Sequence, residues 1–304
     1  MNQNNSDVAL LTEKRYTATA APKEDWYLNN ILCDDYYLQE ALDEIGLTSM
    51  RIDWARKDVD WSGFKCAVFR TTWDYFERIT EFISWLDRVQ DDTILLNDAS
   101  LILWNLDKHY LADLHDLGVP VVETVFIEKG SKINLHQLLE ETGRDEGIIK
   151  PCISGAARHT YRFSHKNATE IQQVIEQLLT NEAFLFQPFI EDVVNSGEDT
   201  LMIIDGLYTH AVRKVAKQGD FRVQDDHGGT VHKYTPTKEQ IELAERAMAA
   251  CNPAPGYGRV DMVLDNEGRW VVMELELIEP ELWLRHHPPA AKNFARAISK
   301  VLHH

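Results

Sequence analysis

Apolar runs and amphipathic stretches alternate through the first hundred residues of the chain. The runs cover residues 8–11, 26–47, 50–54, 66–70, 82–89 and 93–96. This alternation is typical of βαβ units, which build a mostly parallel sheet. The pattern therefore predicts an α/β lobe at the start of the chain.

Residues 70–75 directly follow the third predicted strand. Ligands of parallel sheets gather beyond the carboxyl ends of the strands. We therefore expect Arg70, Trp73 and Asp74 to lie on the side where a ligand binds. The equal alternative is a helix start capped by a threonine, with Trp73 in the core.

The pattern changes after residue 98. A helix is predicted over residues 99–118, with Gly118 at its end. Short strands follow, interrupted by helices near 135–143, 168–180 and 237–251. We therefore predict α+β lobes after the α/β lobe. In the second of these helices the apolar residues follow the spacing of one buried face: Ile171, Val174, Ile175, Leu178 and Leu179.

The stretch 257–278 predicts a hairpin whose two faces differ in chemistry. A turn at residues 265–268 separates two strands, and alternation fixes the direction of each side chain. Pairing Leu264 with Arg269 places the charged residues together on one face. These are Arg259, Asp261, Glu274 and Glu276. The predicted core face consists of Val260, Met262, Leu264, Val271, Met273, Leu275 and Leu277.

Three carboxylates converge on the charged face. Asp261 lies diagonally across from Glu274, and Glu276 lies beside Glu274 on the same strand. Like charges this close repel unless a cation lies between them. Oxygen ligands on rigid strands suit Mg²⁺, which is often completed by substrate phosphates. The alternative is a solvated face neutralised by Arg259 and Arg269. We favour the metal site.

The chain contains neither a P-loop nor a dinucleotide-binding glycine motif, so phosphates need another binding apparatus. Lys150 ends a predicted strand before Pro151, and Lys108 lies in the motif WNLDKH. A lysine at a strand end can reach a phosphate that the amides of a small-residue loop also contact, here residues 154–157. Isolated lysines are usually surface charges, and that alternative stays open.

Residues 184–191 read FLFQPFIE, an apolar strand broken by Pro188. Such a break offers apolar side chains on which an adenine ring stacks and backbone groups that meet its amino group. A core strand that ends at a proline is the equal alternative.

A second hairpin is predicted at Asp205 and Gly206, whose turn preference pairs Ile204 with Leu207. Extending this register sets Glu198 opposite Arg213. The following stretch, 213–229, is rich in cations and glycines and poor in apolar residues. It is therefore predicted to be a functional loop.

Composition narrows the classes of function. The chain has 304 residues, 44% hydrophobic, and its 31 Lys and Arg against 49 Asp and Glu give a formal charge of −18. This balance opposes binding to a nucleic-acid backbone, and no apolar run reaches the roughly 20 residues that span a bilayer. The cysteines form no C-x-x-C pair and the N-terminus lacks a signal-peptide pattern. We expect a cytoplasmic protein that binds neither nucleic acid nor membrane.

Eight ordered segments together resemble the ATP-grasp superfamily. The similarity is to its glutathione-synthetase-like branch and, within it, to the O-ureido-serine cyclo-ligases of cycloserine biosynthesis. The segments are RTTWDY, WNLDK, IIKP, FQPFIE, GEDTL, HAVRK, GDFRVQDDHGG and MELELIEP. The resemblance implies three lobes: an α/β substrate lobe (1–98), a linker helix with a central lobe (99–190) and a metal-binding lobe (191–304). ATP would be clasped between the last two.

The resemblance also implies a role for each matching residue. Two Mg²⁺ ions, or Mn²⁺ in their place, would be bound by Asp261, Glu274 and Glu276. Glutathione synthetases often end this motif with an amide, and Glu276 therefore argues against glutathione synthesis itself. ATP would contact Lys108, Lys150, Ser154, Gln187, Pro188, Phe189, Ile190, Glu191 and Glu198. Arg213 and Arg222 would meet the acylphosphate and the phosphates, and the substrate would meet Arg70, Trp73, Asp74 and Glu279.

The implied activity is that of an ADP-forming carbon–nitrogen ligase. ATP would phosphorylate a small carboxylate or amino acid to an acylphosphate, which an amine then attacks. A small-molecule kinase with the same ATP site and a non-catalytic nucleotide-binding protein are the alternatives. A binding protein gains little from three mutually repelling acids, which argues against the second. The sequence leaves open the two substrates, cyclisation against intermolecular ligation, and monomer against homodimer.

Overall fold

The computed structural model describes residues 6–155, 157–223 and 228–303. The strands in this part of the chain form three sheets. Its helices include none with the length and apolar character needed to span a membrane.

The first sheet is parallel, as the βαβ rhythm predicts, with strand order β2-β1-β3-β4. Its core is rich in aromatic residues, among them Trp54, Phe69, Phe82 and Trp85. The strands are β1 (Val8–Thr12), β2 (Ser49–Asp53), β3 (Cys66–Thr71) and β4 (Ile94–Leu96), and the helices are α1 (Trp26–Glu44) and α2 (Ile79–Val89).

The predicted single helix over 99–118 is wrong. Two helices occupy the segment, α3 (Ala99–Asn105) and α4 (Tyr110–Asp116). The chain leaves the helical path because the Lys108 amide donates to the carbonyl of Cys152 at 3.0 Å. Asn105 also ties the break to the third sheet, since its side chain bonds the backbone of Leu275 and Leu277 at 2.9 and 2.8 Å.

The middle sheet is antiparallel, in the order β5-β8-β6-β7. Helices α5 and α6 pack on it, and Ile175 on the predicted buried face of α6 is fully buried. The elements are β5 (Val125–Ile127), α5 (Leu135–Thr142), β6 (Glu146–Pro151), β7 (Tyr161–Ser164), α6 (Ala168–Leu178) and β8 (Phe184–Pro188).

The third sheet is antiparallel, in the order β11-β10-β9-β12-β13. It carries both predicted hairpins on adjacent strands. The elements are α7 (Glu191–Asn195), β9 (Glu198–Ile204), β10 (Leu207–Val215), β11 (Thr230–Tyr234), α8 (Lys238–Ala249), β12 (Tyr257–Leu264), β13 (Trp270–Glu276) and α9 (Pro289–Val301).

The first and third sheets share one apolar core. Leu10 and Leu38 from the first lobe pack in the same cluster as Tyr257 and Phe294, and α1 packs against α9. The middle sheet buries its side chains in a cluster of its own. Each sheet lies inside one of the three predicted lobes, whose boundaries at 98 and 190 stay predictions.

Candidate active site

A cavity of about 590 Å³ opens where residues of all three sheets meet. Its volume is in the range of small-molecule sites. Its lining combines two sets of residues: charged residues of β6, β10, β12 and β13 together with Lys108, here called the charged end, and aromatic residues of the first lobe, here called the aromatic end.

Asp261, Glu274 and Glu276 lie together at the charged end. Their carboxylate oxygens lie within 4.8 Å of one another. Asp261 is directly opposite Glu274 on the neighbouring strand, and Arg259 is opposite Glu276. The predicted convergence is therefore confirmed, while the metal-binding role stays a prediction.

The hairpin differs in detail from the regular pairing. Its register shifts at a β-bulge, so that Leu264 pairs with Trp270 instead of Arg269. A bulge re-aims the side chains beside it. Asp261 is consequently opposite Glu274 and not diagonal to it. Met273 lines the cavity, and Val272 occupies the core position that was predicted for Met273. The predicted core position of Met273 is wrong.

Asp261 lies among cations. Its carboxylate accepts from Arg259 Nη2 and from Lys214 Nζ, both at 2.8 Å. Lys214 also pairs with Glu198, and Arg259 with Glu276. The alternative considered from the sequence, in which arginines neutralise the carboxylates of this face, is therefore correct for Arg259. Arg269, its second proposed cation, instead pairs with acids of the exposed turn.

The pKa values of these acids diverge. Burial, together with the nearby Asp261 and Glu274, raises the pKa of Glu276 to about 7 in spite of the opposing charge of Arg259. Burial also raises the pKa of Glu198 to about 7. Although burial acts on Asp261 as well, Arg259 and Lys214 hold the pKa of this carboxyl well below its usual range. The clustered oxygens and the unfavourable charge on Glu276 fit a divalent cation with oxygen ligands.

Lys108 and Lys150 both line the charged end. Lys108 Nζ lies 3.1 Å from Glu274 and donates to the carbonyl of Ser154 at 2.8 Å. Lys150 has no ion-pair partner within the described ranges, and burial lowers its pKa despite the field of Glu274. A half-buried cation that forms no ion pair in the described part of the chain fits an anionic ligand such as a phosphate.

The predicted adenine hinge borders an apolar part of the same cavity. Gln187, Pro188, Phe189 and Ile190 line it, and Gln187 Nε2 donates to Thr124 Oγ1 at 3.0 Å. Ile148, Val193 and Met273 complete the apolar surface.

The predicted ribose contact, Glu191, does not line this cavity. It begins α7, and its backbone amide donates to Asn266 Oδ1 at 3.3 Å. Glu191 is exposed to solvent at this helix start.

The position of Arg213 also differs from the prediction. The hairpin pairs Ile204 with Leu207 as predicted, but its register shifts between Tyr208 and His210. Glu198 therefore lies opposite Lys214, and Arg213 lies opposite Asp199.

Lys214 lines the cavity and Arg213 does not. Arg213 donates to Asp199 at 2.6 and 2.9 Å and packs over the ring of Tyr234.

Two family models match successive parts of the chain. Residues 8–97 match the N-terminal domain of D-cycloserine synthetase DcsG, and residues 116–280 match the RimK-like ATP-grasp domain. The chain belongs to the ATP-grasp superfamily. It is 34% identical to the cycloserine biosynthesis protein DcsG of Streptomyces lavendulae over 283 residues, 87% of this chain and 92% of the relative.

Solved structures agree with this assignment. The crystal structure of D-cycloserine synthetase DcsG has a TM-score of 0.83 and 31% identity, covering 97% of this chain and 99% of the other. The D-alanine–D-alanine ligase of Bacillus anthracis complexed with ATP shares the fold, with a TM-score of 0.64, 14% identity and coverage of 98% and 97%. The chain is thus an enzyme, an ATP-dependent ligase, of a family that binds ATP and typically Mg²⁺ and acts on small molecules or peptides.

Two loops of this ATP-grasp ligase border the charged end. Ser154 lines the cavity, and its hydroxyl donates to the carbonyl of Arg158 at 3.1 Å. Arg222 lines it from the segment after β10 and pairs with Asp220. Ala156 and residues 224–227, which belong to these predicted functional loops, lie outside the described residues.

The predicted substrate residues divide into two groups. Trp73 and Glu279 line the cavity, and Trp73 Nε1 donates to the Glu279 carbonyl at 2.9 Å. The alternative of a core Trp73 is therefore wrong.

Arg70 and Asp74 do not line the cavity. Arg70 is buried and donates to Asp35 at 3.0 Å. Asp74 accepts from Trp54 Nε1 at 2.7 Å and from Arg78 at 2.8 Å. Both side chains are held by polar partners inside the first lobe.

Several residues of the cavity escaped the sequence analysis. Lys214 was missed because an irregular register cannot be read from alternation. Arg15 and Tyr16 follow the carboxyl end of β1, so the rule that pointed to 70–75 after β3 could have found them. Tyr27 lies on α1 and carries no such signal.

Proposed function

We propose that this ATP-grasp ligase is ADP-forming and activates a small carboxylate as an acylphosphate, which an amine then attacks. The observation that supports this most is the composition of the charged end. A triad of carboxylates suited to Mg²⁺ lies in the same cavity as Lys150, a half-buried cation that forms no ion pair among the described residues.

Each part of the charged end has a proposed role. Lys150 and Lys108 bind the phosphates of ATP, and the backbone near Ser154 contacts the same groups. Arg222 and Lys214 neutralise the transferring phosphoryl group, with Lys214 in the role first expected of Arg213. Such cations supply most of the catalysis in phosphoryl transfer, through position and charge.

The adenine ring is bound by the hinge over 187–190, where Ile148 and Met273 offer apolar contacts. Asp261, Glu274 and Glu276 hold two Mg²⁺ ions, and Mn²⁺ can take their place. The metal, when bound, neutralises phosphate charge and orients the phosphates.

The reaction proceeds in two balanced steps. An oxygen of the substrate carboxylate attacks the γ-phosphorus, the bond to the β-phosphate oxygen breaks, and ADP leaves. The amine nitrogen then attacks the acyl carbon, inorganic phosphate leaves with the carboxylate oxygen, and the nitrogen loses a proton. Ser154, Gly155 and Ala157, which line the cavity, help to keep water from the acylphosphate.

The substrate class follows from the first lobe. This lobe supplies one wall of the cavity through Arg15, Tyr16, Tyr27 and Trp73, and it is the part that matches the N-terminal domain of D-cycloserine synthetase. We therefore propose a small-molecule substrate and an intramolecular ligation, with the substrate lobe at 1–98, the central lobe at 99–190 and the metal-binding lobe at 191–304. We also propose that the enzyme has no nucleic-acid partner.

The test is a screen for ADP release with small carboxylates, O-ureido-serine among them, in the presence of Mg²⁺ and hydroxylamine. Hydroxylamine is small and nucleophilic, so it intercepts an acylphosphate as a hydroxamate without knowledge of the native amine. ADP together with a hydroxamate is the expected result. AMP as the product indicates an adenylating ligase, and ADP without hydroxamate indicates a hydroxyl kinase; either contradicts the proposal.

A further inference from the structure

Three aromatic side chains form one wall of the cavity beyond the charged end. We call Tyr16, Tyr27 and Trp73 the aromatic wall. The ring centroids of Tyr16 and Tyr27 lie 5.5 and 6.2 Å from that of Trp73 and 6.3 Å from each other. All three side chains are half-buried and line the cavity, so each presents part of its ring to a ligand.

Glu279 lies beside this wall. Its carbonyl accepts the indole hydrogen of Trp73 at 2.9 Å, and its side chain belongs to the cavity lining. The hydrogen bond fixes the backbone of Glu279 relative to the aromatic wall.

The charge of Glu279 is not matched by the chain. The other half-buried and buried acids of the cavity each pair with a cation: Glu198 with Lys214, Asp261 with Lys214 and Arg259, Glu274 with Lys108, Glu276 with Arg259, and Glu281 with Arg285. Glu279 has no ion-pair partner among the residues that the structure describes. Glu77 also lacks one, but it lies exposed at the cavity rim, where water solvates it.

Arg15, the cation that the first lobe contributes to the cavity lining, does not fill this gap. Arg15 is held by Glu13 and packs over Tyr16, with its guanidinium carbon 5.4 Å from the ring centroid. Burial, with Glu276 nearby, raises the pKa of Glu279 well above its ordinary value, although the more distant charges of Arg259 and Lys108, both paired with other acids, act in the opposite direction. A carboxylate in such surroundings is stabilised by a cation brought by a ligand.

We infer that Glu279 and the aromatic wall form the specificity site for a substrate ammonium group. This inference rests on the proposed function, since it assumes that the carboxylate to be activated lies toward the charged end of the same cavity. The substrate is then an amino acid whose carboxylate faces the phosphates and whose ammonium group faces Glu279.

The physical basis is twofold. An ammonium group over aromatic faces is attracted by the ring quadrupoles, and the attraction grows when water is excluded. Pairing with Glu279 gives the charge-assisted contact that the chain itself does not provide. A desamino or N-acylated analogue fills the same space but leaves Glu279 without a partner, so the site discriminates against it.

The test uses a matched set of carboxylates: O-methylserine, its desamino analogue 3-methoxypropanoate, and N-acetyl-O-methylserine. Binding is measured by calorimetric titration with Mg²⁺ and ADP present, and kcat/KM is measured by ADP release with hydroxylamine. We expect the wild type to prefer the free amine by about tenfold or more over each analogue.

Two variants test whether Glu279 and Trp73 cause the preference for the free amine. Glu279→Gln keeps the shape and removes the charge, and we expect it to lose most of the discrimination while the KM for ATP and the response to 3-methoxypropanoate stay the same. Trp73→Leu is expected to reduce the discrimination in the same direction. The control Glu77→Gln, at the exposed rim, is expected to retain the wild-type ratio.

The outcomes separate this inference from the proposed function. Equal or undetectable binding of the amino and desamino compounds, or a Glu279→Gln variant that loses activity toward both alike, overturns the inference even when ADP and a hydroxamate are formed. A preference for the amine that Glu279→Gln removes, in an enzyme that yields no hydroxamate with any carboxylate, supports the inference and contradicts the acylphosphate proposal.

Discussion

The charged end and the aromatic end of the cavity differ in the sign of the charge that is left without an ion pair. At the charged end, acids pair with Lys108, Lys214 and Arg259, and Lys150 is left as a half-buried cation that forms no ion pair within the described ranges. At the aromatic end, the acid Glu279 is left without a cation. Each unmatched charge is opposite in sign to the group that we propose binds there, a phosphate at one end and an ammonium group at the other.

The two ends also differ in origin. Apart from Lys108, the charged end lies within the part of the chain that matches the RimK-like ATP-grasp domain. The aromatic wall lies in the part that matches the N-terminal domain of D-cycloserine synthetase, while Glu279 belongs to the RimK-like part. On our proposal, nucleotide chemistry is carried by the RimK-like part with Lys108, and substrate choice by the first lobe together with Glu279. A change at one end is expected to leave the task of the other end intact.

The largest effect is expected from the triad. Asp261→Asn, Glu274→Gln and Glu276→Gln each remove one charge and keep the side-chain shape, and we expect kcat for ADP release to fall roughly a thousandfold because the metal is lost or misplaced. Binding of Mn²⁺ in the presence of ADP provides the second measurement. Glu267→Gln, on the exposed turn of the same hairpin, is the control, and unchanged turnover in two of the triad variants would exclude the metal site.

The neighbouring residues Lys214 and Arg213 provide a sharper comparison. Each pairs with a buried acid, but only Lys214 lines the cavity. Lys214→Met and Arg213→Met are therefore both expected to lower stability, while only Lys214→Met lowers kcat, by roughly a hundredfold. Thermal unfolding and ADP release, measured on both variants, separate the two effects. An equal loss of kcat in both would remove Lys214 from the phosphate site.

A smaller effect is expected for nucleotide binding. Loss of a charge-assisted contact to phosphate costs on the order of 1.5 to 3 kcal/mol, so Lys150→Met and Lys108→Met are each expected to weaken binding at least about tenfold. Calorimetric titration with a non-hydrolysable ATP analogue measures this. The exposed Lys238, at the start of α8, is the matched control. Equal affinities for all three variants would mean that both lysines are merely structural.

The smallest effect concerns how the aromatic end is anchored. His210 Nε2 donates to the carbonyl of Leu282 at 2.8 Å, next to the cavity residues Glu281 and Trp283. Burial lowers the pKa of His210 to about 4 from an ordinary value of 6.5. The unfolded chain therefore binds the proton more tightly, and stability falls as the pH drops from 6.5 toward 4.

At pH 5 this linkage amounts to about 2 kcal/mol of unfolding free energy. Urea denaturation at pH 7 and pH 5 measures it. His210→Asn is expected to reduce the loss, whereas His232→Asn, exposed on the adjacent β11, is expected to retain it. The same pH dependence in the wild type and both variants would contradict a neutral, buried His210.

The sequence predicted the charged end better than the aromatic end, for physical reasons. Asp261, Glu274 and Glu276 lie on strands whose alternation is strong, so their convergence survives the bulge at Met273. The register shift near Thr209, which exchanges Arg213 for Lys214, has no glycine or proline to mark it.

The remaining differences arise from tertiary contacts. The break between α3 and α4 depends on a hydrogen bond from Lys108 to Cys152, residues far apart in the chain. Arg70 is drawn into an ion pair with Asp35 on α1 instead of facing a ligand. The aromatic wall joins Tyr16, Tyr27 and Trp73 from three segments, and no local pattern connects them.

The central claim is that the carboxylate of the substrate accepts the γ-phosphoryl group of ATP. It is tested most directly with a substrate labelled with ¹⁸O in its carboxylate, by mass spectrometry of the nucleotide and phosphate products. An acylphosphate route transfers one labelled oxygen to inorganic phosphate and leaves ADP unlabelled, which is the predicted result. Label in AMP, or unlabelled phosphate from an enzyme that turns over ATP and consumes the carboxylate, would contradict the account.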